Sequence, residues 1–125
     1  MFEKNLLAGR TIFLTGGGTG LGKGMAQRFL ELGATVYICG RRAEVLEQTA
    51  AELSPKGPIH ALPCDVRKAE EVEAMIDFIW EAGPLDILVN NAAGNFIART
   101  EELSSRAFEA VIGIVLHGTL HATMA

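Results

Sequence analysis

The sequence has 125 residues, enough for one domain and too few for a second, substrate-binding one. Apolar residues make up 49% and charged residues 21%, the balance of a folded chain, and a net charge of −4 argues against a nucleic-acid-binding surface. Two cysteines, Cys39 and Cys64, are too few for a disulfide framework, no apolar run reaches about 18 residues, and Glu3 stands where a secretory leader would be basic. The expectation is a cytoplasmic protein with no membrane anchor.

Residues 11–15 (TIFLT) are apolar and β-branched, as in a buried parallel strand. A cluster of glycines follows, and apolar residues then recur at helical spacing through 21–32, with Gly33 placed as a C-terminal cap. Residues 35–39 (TVYIC) read as a second strand and 43–53 as a helix with Val45, Leu46, Ala50 and Leu53 facing inward. The segment 54–58 (SPKGP) is a turn. A third strand is expected over 59–64 and a helix over 69–81, stopped by Gly83-Pro84. The acidic Glu70, Glu71 and Glu73 read as a solvated face of that helix, and Met75, Phe78 and Trp80 as packing residues. Residues 85–89 form a fourth strand, and a last apolar helix begins near Ser104. Strand–helix alternation of this kind predicts an α/β doubly wound parallel sheet of Rossmann type, ordered 3-2-1-4, with its ligand at the carboxyl ends of the strands.

Fourteen glycines exceed the usual share of about 7%, and they concentrate at one strand-to-helix junction. Gly16, Gly17, Gly18, Thr19, Gly20, Leu21 and Gly22 lie where a backbone can approach a pyrophosphate and a helix N-terminus can offer free N–H groups. A Walker loop does not fit, because Lys23 is followed by Gly24 and not by Ser or Thr. His117 and His121 share a helical spacing but have no third metal ligand, so no metal is expected. Cys39 and Cys64, at adjacent strand ends, read as small buried residues.

The run T-G-G-G-T-G-L-G from Thr15 has the T-G-x-x-x-G-x-G spacing of the short-chain dehydrogenases/reductases. Cys64-Asp65-Val66 and the L-D-I-L-V-N-N-A stretch from Leu85 to Ala92 resemble two further elements of that family. The resemblance implies that Asp65 and Val66 lie along the adenine and Asn91, Ala92 and Ala93 near the nicotinamide-side ribose. An acid at the end of strand 2 usually bonds the ribose 2′-OH of NAD; here Arg41 and Arg42 stand in that region and suit a 2′-phosphate, so NADP(H) is the expected cofactor.

Asn90-Asn91-Ala92-Ala93-Gly94-Asn95-Phe96 resembles the corresponding stretch of the short-chain type of 2,4-dienoyl-CoA reductases. The segments 101–104 and 114–119 are similar as well, with Val115 where many short-chain reductases carry Asn. This implies contacts of Arg41, Arg67, Phe96 and Ser104 with an acyl-CoA. The alternatives are another short-chain reductase, acting on 2-enoyl-CoA or 3-oxoacyl substrates, and a non-catalytic NADP(H)-binding module. The family's catalytic Tyr and Lys have no counterpart: the one tyrosine is Tyr37, followed four residues later by Arg41. The chain is therefore expected to be the N-terminal, cofactor-binding half of one domain (1–125), inactive alone. The complete protein is expected to be a homo-oligomer joined through the last helix, where Gly113 and Gly118 would permit close approach.

Overall fold

The computed structural model describes residues 2–125. Four parallel strands, β1 (Thr11–Thr15), β2 (Thr35–Gly40), β3 (Ile59–Pro63) and β4 (Ile87–Val89), lie in the order β3-β2-β1-β4, as the strand–helix alternation requires. Helices α1 (Gly20–Glu31), α2 (Ala43–Leu53) and α3 (Ala69–Ala82) connect them. The last helical stretch comprises α4 (Ser105–Ile112), a π-turn (Gly113–His117) and α5 (Gly118–Met124).

Side chains alternate between the two faces of the sheet, and each face has its own core. Ile12, Leu14, Val36 and Ile38 meet Ala26 and Leu30 of α1 and Leu46 and Leu53 of α2. Phe13, Tyr37 and Cys39 on the other face meet Val72, Met75, Ile76 and Ile79 of α3 and Ala122 of α5. The central strands β1 and β2 are buried on both sides, which is why they read as continuous apolar runs.

Strand boundaries shift from the expectation at three places, the first being β2, which runs one residue further, to Gly40. β4 begins at Ile87, because Asp86 replaces a ladder partner: its N–H donates to the Thr11 carbonyl at 3.0 Å. Its carboxylate accepts from the Thr11 N–H and from Arg10 Nη1, each at 2.9 Å. β3 ends at Pro63, one residue early, although the Cys64 N–H still reaches the Gly40 carbonyl at 2.9 Å. Residues 54–56 of the expected turn form a short 3₁₀ helix.

The last helix differs more. Ser104 caps it by accepting from the Ala107 N–H at 3.1 Å. The stretch Ser105–Met124 has a mean hydropathy of 1.3 over its most apolar window, so by length and composition alone it is long and apolar enough to cross a membrane, although it holds no unbroken apolar run of that length. Gly118 lies close against Val66, since a Cβ there would be 2.7 Å from Val66 Cγ2, whereas a Cβ on Gly113 would make only ordinary contact with the Arg67 stem at 3.5 Å. Tyr37 is buried, stacked on His60 at 4.6 Å and met edge-on by Phe78. Met75 is in the core, whereas Trp80 is exposed.

Ile38 is fully buried and its side chain backs the glycine turn at Gly17. Ile38→Ala is expected to lower unfolding stability by about 3 kcal/mol. Ile97→Ala, at a fully exposed position, is expected to leave it unchanged. Urea denaturation of both variants checks the pair.

Candidate functional site

The site grows from the junction of β1 with α1. Gly16 (φ +68°) and Gly20 (φ +54°) adopt the left-handed conformation that other residues avoid, and this folds the chain into a tight turn. The Gly16 and Gly17 N–H groups both donate to the Cys39 carbonyl, at 3.0 and 3.2 Å. Gly22 presses α1 onto this turn so closely that a Cβ there would overlap the Gly16 carbonyl oxygen and lie 2.7 Å from Asn91 Nδ2. Gly17 packs against the Ile38 side chain, which makes it a packing residue of the turn.

Thr15 and Asn91 join the turn to the end of β4. The Thr15 hydroxyl accepts from the Asn91 and Ala92 N–H groups, both at 3.0 Å. Asn91 Nδ2 donates to the Thr15 and Gly16 carbonyls, both at 3.1 Å. Thr15 is buried, so its hydroxyl satisfies two backbone donors beside the core. Thr15 was visible as the first residue of the glycine motif, but nothing in the sequence marked its hydroxyl as the clamp.

These contacts leave a cleft of about 440 Å³ at the carboxyl ends of the strands. It is lined by Gly16, Gly18, Thr19, Gly20, Leu21 and Gly22, by Arg41 and Arg42, by Asp65 and Val66, and by Asn91, Ala92 and Ala93. All of these were anticipated. Cys39, Gly40, Val45, Leu46, Cys64 and Ile114 line it too and were not. Their sequence signal was position: the cysteines stand beside the carboxyl ends of strands 2 and 3, and Val45 and Leu46 open the inner stripe of α2. Both thiols are buried; contact with Cys64 and burial keep Cys39 protonated.

The residues fit a dinucleotide. Gly20 has open space where a side chain would project, so the backbone there is bare toward a ligand. The N-terminus of α1 has no side-chain cap at Thr19 and no acid in its first turn, which leaves N–H groups and the positive end of the helix dipole for an anion. Arg41 and Arg42 add two cations on the β2 side of the same cleft.

Asp65 is held in a network. Arg67 Nε donates to its carboxylate at 2.9 and 3.1 Å, Nη2 at 2.5 Å, and the Arg67 N–H at 3.1 Å. The Asp65 N–H donates to Glu71 Oε2 at 2.7 Å, and Lys68 Nζ to Glu71 Oε1 at 2.7 Å. Glu71 is thus a bonded support of the Asp65 backbone, not only part of a solvated face. The Arg67 guanidinium draws the Asp65 carboxyl below its ordinary range, with a smaller pull from Arg41. Lys68 and the Asp65 N–H do the same for Glu71.

Of the four residues that the resemblance ties to an acyl-CoA, only Arg41 lines the cleft itself. Arg41 lines the cleft, Arg67 is bonded to Asp65, Phe96 is exposed outside the cleft lining, and the Ser104 hydroxyl caps α4. His121 Nδ1 lies 2.9 Å from the Val66 carbonyl, and among the described residues no cluster of three potential metal ligands occurs.

Residues 10–125 match the family model for short chain dehydrogenase. A probable 2,4-dienoyl-CoA reductase of Caenorhabditis elegans, described as (3E)-enoyl-CoA-producing, is 46% identical over 122 residues, covering 94% of this chain and 39% of that protein. A probable 2,4-dienoyl-CoA reductase of Bacillus subtilis, described as (2E)-enoyl-CoA-producing, is 42% identical, covering 93% of this chain and 46% of its own length. The Pseudomonas aeruginosa RhlG/NADP active-site complex superposes with a TM-score of 0.91 at 34% identity, covering 99% of this chain and 49% of that one. The chain spans about two-fifths of the length of the first curated relatives it matches.

Two variants test the clamp. Thr15→Val strands the Asn91 and Ala92 N–H groups and is expected to cost about 2 kcal/mol of stability. Gly22→Ala is expected to abolish nucleotide binding, since α1 must move off the turn; calorimetric titration checks it. Acid supplies a further test. Asp65 and Glu71 titrate below their ordinary range when folded, so the stability they lend is present above about pH 4 and is lost as pH falls through their folded values. Glu71→Gln is expected to flatten the dependence of the thermal midpoint on pH below about 4.

Proposed function

Because the chain belongs to the short chain dehydrogenase family, we propose that it forms the NADP(H)-binding half of a reductase acting on 2,4-dienoyl-CoA. The observation that carries the cofactor assignment is the pair Arg41 and Arg42 beside the cleft, in the region where an NAD-binding site places a carboxylate. The similarity to the two dienoyl-CoA reductases supports the substrate class.

In this reading the uncapped N-terminus of α1 and the turn from Gly16 to Gly22 hold the pyrophosphate. Arg41 and Arg42 hold the 2′-phosphate as charge-assisted donors. Asp65 and Val66 border the adenine, and Asn91, Ala92 and Ala93 border the nicotinamide-side ribose. NADPH, when bound, supplies a hydride to the conjugated acyl chain. The Thr15–Asn91 clamp keeps the β4 end fixed against the glycine turn, so the two halves of the cofactor cleft do not move independently. The exposed Phe108, Leu116 and Leu120 support assembly of the whole protein into a homo-oligomer through its last helix.

Arg41→Ala with Arg42→Ala in the whole protein is expected to weaken NADPH binding at least about tenfold and NADH binding by less than about threefold. Fluorescence titration with each cofactor checks it. Equal losses would overturn the 2′-phosphate assignment. Turnover of steroids or 3-oxoacyl thioesters, with none of a 2,4-dienoyl-CoA, would overturn the substrate class.

A further inference from the structure

Asp65 is, among the described residues, the one carboxylate that lines the cleft, and it shares that cleft with Arg41 and Arg42. A carboxylate here has two consequences for a nucleotide bearing a 2′-phosphate. It repels the added charge, and it competes with the phosphate for the nearest guanidinium. The structure answers both through Arg67, which lies two residues along the chain and does not line the cleft itself. Arg67 takes both Asp65 oxygens with Nε and Nη2 and adds its backbone N–H. The Asp65 side chain is only 13% exposed, which makes the pairing stronger than a surface ion pair between two solvated groups. Lys68 is not a substitute, because its ammonium is bonded to Glu71. Glu71 also holds the Asp65 N–H, which fixes the carboxylate's backbone in place.

We propose that Arg67 is a specificity-determining residue that acts through Asp65: it neutralises the cleft carboxylate and so leaves Arg41 and Arg42 free for a 2′-phosphate. The inference rests on the NADP(H) reading above and adds a third arginine to it, one that positions and screens and need not touch the phosphate. Arg41 shares the cleft with Asp65, so once Arg67 is removed it is the nearer of the remaining candidates to be drawn to the carboxylate and away from the nucleotide. Arg67 is partly exposed and its loss opens no core cavity, so the variant is expected to fold.

The test uses adenosine 2′,5′-bisphosphate and adenosine 5′-monophosphate, which differ by the 2′-phosphate and carry no nicotinamide. Calorimetry gives the affinity ratio for the wild-type whole protein, Arg67→Gln, and the double variant Asp65→Asn with Arg67→Gln. Wild type is expected to prefer the bisphosphate about tenfold or more. Arg67→Gln is expected to cut that ratio by about fivefold, and the double variant to return it to within about twofold of wild type. In Arg67→Gln the Asp65 carboxyl, followed by nuclear magnetic resonance, is expected to titrate closer to an ordinary aspartate. A ratio unchanged by Arg67→Gln, or one not recovered in the double variant, overturns the role of Arg67 while the NADP(H) reading stands. A wild-type protein that binds both nucleotides equally overturns the NADP(H) reading itself.

Discussion

The cleft depends on one close approach, that of α1 to the carbonyl of Gly16. Gly22 has no room for even a methyl group, so the helix start, the turn and the end of β1 occupy nearly the same space. Everything polar nearby is arranged to keep that approach satisfied. Two N–H groups of the turn donate to Cys39 of β2, and the Asn91 amide donates to the two carbonyls of Thr15 and Gly16. The Thr15 hydroxyl oxygen accepts two bonds from the chain just after β4. Three strand ends and one helix are thereby locked around a concavity whose own N–H groups are left without side-chain caps. An anion-binding site here is the by-product of unsatisfied donors held rigidly, which is the condition for pre-organised recognition.

Charge refines what the backbone begins. A cleft with helix N–H groups and two arginines favours phosphate, and a lone carboxylate within it would work against that preference. The chain resolves the conflict locally, over the seven residues from Asp65 to Glu71, with Arg67 on the carboxylate and Glu71 on the backbone. These side chains are also the join between the cleft and the last helix, because the Arg67 stem lies against Gly113 and Val66 lies against Gly118. The Asp65–Val66 end of the cleft is therefore coupled by packing to a helix whose outer face is apolar and exposed.

Much of this was legible in the sequence because the signals were local. Strand and helix periods, the glycine spacing and the paired arginines all act within a few residues of each other. The sheet order followed from connection length and handedness. Less legible were the features made by residues distant in sequence. Thr15 meets Asn91 across 76 positions, and no short-range pattern announces the pair. Glu71 looked like one more acid on a solvated helix, since only the fold brings its carboxylate to the Asp65 N–H. Gly118 was read from the sequence only as a point of close helix approach, and nothing local showed that Val66 of the same chain lies against it. Ser104 carried a substrate role by resemblance, and the fold shows in addition that its oxygen caps α4 by accepting from the Ala107 N–H.

The central claim is that this rigid turn and the α1 N-terminus bind a dinucleotide phosphate. The most direct measurement is a backbone amide titration of the chain with NADP+, followed by heteronuclear magnetic resonance. The account predicts the largest shifts at the amides of Gly18, Thr19, Gly20, Leu21 and Gly22, with smaller ones at Arg41, Asp65 and Ala92. Shifts that spare the turn, or that concentrate on the last helix, would contradict it.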